Sequence, residues 1–151
     1  MDIKAKYSGL QTALKVNTEA ISHIGDYGCL FLALCSIAEE FNESYHTGKR
    51  LDIIAFYLKC KKNGWVNEEF FCKDQTSILK EATGKNWKKE IQKKLPAIIP
   101  DEMYTIEKWY NPKTTFTHFK RRGFDTLESS NTVKNGRLEG YYCYTCDIKS
   151  F

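Results

Sequence analysis

No run in the chain approaches the roughly 20 apolar residues that a membrane-spanning helix needs. The first residues also lack the sequence of basic start, apolar stretch and small-residue cleavage site that marks a secretory signal. Without either feature the expectation is a cytoplasmic protein with no membrane partner. Internal repeats and low-complexity tracts are missing as well, which excludes an array of small units. Zinc-type ligand pairs are scarce: Cys143-Tyr144-Thr145-Cys146 has the spacing, but Cys60 and Cys72 do not supply a second pair of that form. In a strand, positions 143 and 146 would also point to opposite faces. Neither a metal nor a cofactor is expected. Histidine is rare too, with only His23, His46 and His118 available for proton transfer.

What is present suits one packed domain. The 151 residues match a common domain size, and 42% apolar with 14% aromatic residues is ample material for an interior. The whole chain, 1–151, is read as a single domain. Its net charge of +4 is modest and partly concentrated in Lys85, Lys88, Lys89, Lys93 and Lys94. That run is expected to be a solvated helix face, and with no reader motif beside it no nucleic-acid partner is expected. The six cysteines are scattered, so reduced thiols are expected in place of a disulfide framework. The sequence carries no signal for a particular oligomeric state.

Helical patterning fills the first half. Leu10, Ala13, Leu14 and Val16 give Tyr7 to Glu19 a helical spacing, which Gly25-Asp26-Tyr27-Gly28 then breaks. Cys29 to Phe41 is apolar almost all round at its start and ends in Glu39-Glu40, the pattern of a helix buried at its beginning. Asp52 to Lys62 reads as the next helix, with Ile53, Ile54, Phe56, Tyr57 and Leu58 on its core side and Asn63-Gly64 as its stop. Val66 to Cys72 reads as a short extended piece. Asp74 is the expected N-cap of Gln75 to Ala82, closed by Gly84.

The second half changes character. Met103 to Trp109, Thr114 to Lys120, Phe124 to Leu127 and Arg137 to Thr145 are rich in Thr, Tyr, Phe and Trp, and turn residues separate them. Helices followed by an antiparallel sheet define an α+β fold.

Cys29 stands out chemically. A cysteine nucleophile must be a thiolate, and the unpaired N–H groups and dipole of a helix start favour that form. The bland alternative is a small buried residue, as Cys35 is expected to be further along the same helix. His118 lies in a strand, within Thr117-His118-Phe119. If Arg121-Arg122 make a two-residue turn, Lys120 pairs with Gly123 and His118 falls opposite Asp125, where a carboxylate fixes an imidazole tautomer. A longer loop would shift that register.

A cysteine opening a buried helix, then a distant strand histidine and an acid beyond it, resembles the papain-like cysteine peptidases. The similarity is to the small bacterial branch related to bacteriocin-leader-processing peptidases, and to an uncharacterised spirochaetal family. It rests on Tyr27-Gly28-Cys29-Leu30-Phe31, on Thr117-His118-Phe119 and on the stretch from Phe124 to Gly136. The resemblance implies a papain-like fold in which the cysteine-bearing helix packs on the C-terminal sheet. It implies Cys29 as nucleophile, His118 as general base and acid, and Asp125 as the residue that orients it, acting on a peptide or protein substrate. Such enzymes commonly carry an oxyanion-stabilising glutamine six residues before the cysteine, and this chain has His23 there. His23 or Gln11 is the expected substitute donor. The alternative is a catalytically idle papain-like domain that uses the same cleft to bind a peptide or partner protein.

Overall fold

The computed structural model describes residues 2–7, 28–66, 72–124 and 133–146. Helices α1 (Ile3–Tyr7), α2 (Cys29–Ser44), α3 (Ile53–Lys62) and α4 (Gln75–Thr83) precede strands β1 (Trp87–Gln92), β2 (Met103–Asn111), β3 (Phe116–Arg121) and β4 (Arg137–Cys146). The strands form one antiparallel sheet in the order β1-β4-β2-β3. The α+β expectation is met, with the helices packed on the sheet. None of the six cysteines is in a disulfide. Among the described residues no helix is long and apolar enough to cross a membrane.

Helix α2 is the centre of the core. Phe31, Leu34, Cys35, Ile37, Ala38 and Phe41 are fully buried, so apolar side chains face inward over most of its circumference. Burying a side chain of the size of Leu34 or Ile37 stabilises by roughly 1.5–3 kcal/mol each. The rings of Phe56 and Tyr57 on α3 meet Phe31, both with centroids 5.8 Å away. Towards the other end of the helix, Phe41 meets Trp87 of β1 edge-on at 5.0 Å. The helix therefore spans the sheet from β3 to β1.

Helix boundaries follow capping chemistry. The Asp52 carboxylate accepts from the Ile54 and Ala55 amides at the start of α3, and Asp74 accepts from Ser77 at the start of α4. Gly84 closes α4 with φ +76°, a left-handed conformation that other residues adopt only under strain.

Four readings of the sequence need correction or bounding. The basic run is not a helix face: Trp87 to Gln92 pairs with β4, because alternation buries Trp87 while Lys88 and Glu90 face solvent. On α3 the buried stripe is Phe56, Tyr57 and Cys60, while Ile54 and Leu58 are exposed. An apolar cluster in sequence exceeds what one side of a 3.6-residue helix can bury. The turn after β3 closes one residue later than expected: the Phe124 amide donates to the Arg121 carbonyl, with Gly123 at φ +84°. Lys120 has Glu107 of β2 as its cross-strand neighbour. The rest of the expected Tyr7 to Glu19 helix, and the strand from Asp125 to Leu127, lie outside the described residues.

Candidate functional site

Cys29 is the first residue of α2 and Gly28 precedes it as N-cap, with no side chain capping the helix. The residue is half-buried. The position of the sulfur follows from strand pairing. The Arg122 amide donates to the Thr105 carbonyl, so the opposed pairs Lys120/Glu107 and His118/Trp109 are the hydrogen-bonded ones. Alternation then turns the Phe119 N–H outward, away from β2. That amide approaches the Cys29 sulfur. The nucleophile candidate thus sits beside the β3 edge, one strand residue from His118.

The electrostatics differ from the helix-start expectation. Burial raises the Cys29 pKa above its ordinary value, and the backbone amides of Phe119, Leu30 and Cys29 itself oppose this without overcoming it. Desolvation of a charged thiolate outweighs the helix end here. Burial therefore favours the neutral thiol over the thiolate. Cys35 is more extreme: fully buried, it is held well above the ordinary range by burial and by Cys60 and Cys72.

His118 is buried and stands directly opposite Trp109. It shares that side of the sheet with Lys120 and Glu107, an ion pair at 3.6 Å, while the Trp109 indole donates to Glu107 at 3.0 Å. The side chains of Phe119 and Arg121 alternate to the helix side. The structure therefore brings Cys29 and the His118 strand together, with the imidazole on the opposite side of β3. Asp125, His23 and Gln11 lie outside the described residues.

Arg121 is the neighbour that sequence reasoning assigned to a turn. It is the last residue of β3, buried, paired with Glu40 and 3.4 Å from the Ser36 hydroxyl. Its guanidinium also lies 4.5 Å from the Phe124 ring centroid. Its place after the alternating Thr117 and Phe119 is the signal that would have identified an inward side chain. Together with Tyr7, Cys29 and Ser36 it lines a cavity of about 30 Å³. Such a space accepts water but no peptide, so any substrate must approach Cys29 from elsewhere. Among the described residues, the buried Tyr7 hydroxyl and Glu39 Oε2 meet no partner within hydrogen-bond geometry. Among the described residues no three His, Cys, Asp or Glu side chains form a group that could hold a metal ion.

No family model, curated protein or solved structure matches this chain.

Proposed function

We propose that the chain is a papain-like thiol hydrolase that acts on peptide bonds, with Cys29 as nucleophile, His118 as its proton acceptor and donor, and Asp125 orienting His118. One observation carries the reading: Cys29, a half-buried residue, opens α2 with its sulfur beside the outward amide of Phe119, the residue next to His118. The Phe119 amide holds the sulfur at the outer edge of β3, next to the strand that carries His118. Substrate binding would bring the imidazole around that edge to take the thiol proton. The thiolate attacks the peptide carbonyl, His118 protonates the leaving amine, and water then releases the acyl group from sulfur. The Cys29 backbone amide is one oxyanion donor in this scheme.

A second reading has its own support. The raised Cys29 pKa and the placement of His118 across the strand speak against cleavage and favour a domain that binds peptide without cleaving it.

Quenched fluorescent peptides separate the two. The hydrolase reading predicts turnover that falls by about 100-fold or more in both Cys29→Ala and His118→Ala. Turnover that survives Cys29→Ala contradicts it. Peptide binding with no turnover establishes the second reading.

A further inference from the structure

The helix-facing side of the sheet has a covered end and an open end. Trp87, Tyr144 and Ile106 are buried, whereas Phe119 and Tyr142 are half-buried and Ile91, directly opposite Tyr142, is 70% exposed. Phe119 and Tyr142 rings lie 5.3 Å apart, so an apolar strip runs across the sheet from the Cys29 edge towards β1. Two lysines border it. Lys89 places its ammonium 4.1 Å from the Tyr142 ring centroid, and Lys108 stands directly opposite Phe119.

The charges are sorted between the faces. Glu90 alternates to the other side of β1 from Lys89, and Glu107 to the other side of β2 from Lys108. Glu107 is engaged by Lys120, and Glu139 faces Arg137 at 3.9 Å. Among the described residues neither Lys89 nor Lys108 has a carboxylate partner. Burial also lowers the Lys89 pKa, partly offset by Cys72, so an anion arriving here would restore stabilisation to its charged form.

We infer that this open end is the subsite for an extended acidic peptide segment, with its apolar or neutral side chains on Phe119, Tyr142 and Ile91 and its carboxylates on Lys89 and Lys108. The inference rests on the peptide-handling reading above and names the class of peptide. Three inter-strand steps from β3 to β1 cover about 14 Å, the length of about four extended residues. A segment of that size, leading from Cys29, reaches both lysines.

Fluorescence anisotropy with Cys29→Ala protein and a labelled short peptide of alternating Glu and Thr tests this, beside the same peptide with Gln for Glu. The Glu peptide should bind more tightly, with an advantage that shrinks at high salt. Lys89→Gln combined with Lys108→Gln should weaken it about fivefold while leaving the Gln peptide unchanged. Lys88→Gln, on the opposite face, should have no effect. Equal affinity for the two peptides, indifference to the double substitution in a protein with unchanged circular dichroism, no binding, or stronger binding of a single-stranded oligonucleotide would each overturn the inference. Tight acidic-peptide binding by a wild-type protein that cleaves nothing would sustain the subsite and remove the hydrolase.

Discussion

At the scale of the residue, Cys29 shows how two effects of the same position compete. The first turn of a helix favours a thiolate, and burial against β3 disfavours it; burial is the larger effect. The sign fixes a chemical expectation. A raised pKa leaves less thiolate at neutral pH, so iodoacetamide should modify Cys29 more slowly at pH 7 than an ordinary free cysteine, with a rate that climbs as pH passes the ordinary thiol range near 9. Mass-spectrometric mapping of the modified cysteines against pH checks this. Rapid labelling of Cys29 at neutral pH would show instead that a thiolate and an imidazolium already face each other at rest. The choice of cysteine was legible because only Cys29 coincides with the start of a buried helix; its protonation state was not, since desolvation depends on Phe119, 90 residues away in sequence.

At the scale of the element, α2 joins core to site, so packing defects within it should be felt at both. Leu34 is fully buried on this helix. Leu34→Ala should cost about 2–5 kcal/mol in urea unfolding, through lost apolar contact and the cavity left behind. A cost below about 1 kcal/mol would mean that this side of α2 is not in the core. Helices α2 to α4 were readable because caps and apolar patterning agree at Gly28, Asp52, Asp74 and Gly84. Strand β1 was not. Its lysines and its glutamate are spaced as they would be on a solvated helix, and only pairing with the aromatic β4 decides the matter. The His118 register was half legible. Its strand was evident and its partner among the described residues is Trp109 on β2; the turn closes from Phe124 to Arg121, one residue later than an Arg121-Arg122 turn would, and Asp125 lies outside the described residues. Turn length, which the sequence leaves open between Arg121 and Phe124, sets register.

At the scale of the whole molecule, the interior is rich in groups that must stay neutral. Burial pushes the thiols of Cys60 and Cys72 up to about 12, and the Tyr104 phenol likewise to about 12. These acids hold their protons more tightly folded than unfolded. Their contribution is fully present below the unfolded thiol range near 9 and is lost as pH rises through the folded values. Urea midpoints should therefore stay level from neutral pH to about 9 and fall between about 9 and 12. Cys72→Ala should make that fall shallower. Stability that rises with pH over the same window would contradict the burial of these groups.

The central claim is that Cys29 and His118 work as one thiol site once a peptide is bound. A peptide vinyl sulfone tests it most directly, because its electrophile reacts appreciably only when a positioned thiol is deprotonated beside it. At neutral pH the native protein should become labelled at Cys29, faster than by iodoacetamide relative to a free cysteine, and His118→Ala should suppress the labelling by about 100-fold. Labelling spread over Cys29 and Cys72 alike, or unchanged in His118→Ala, would contradict it.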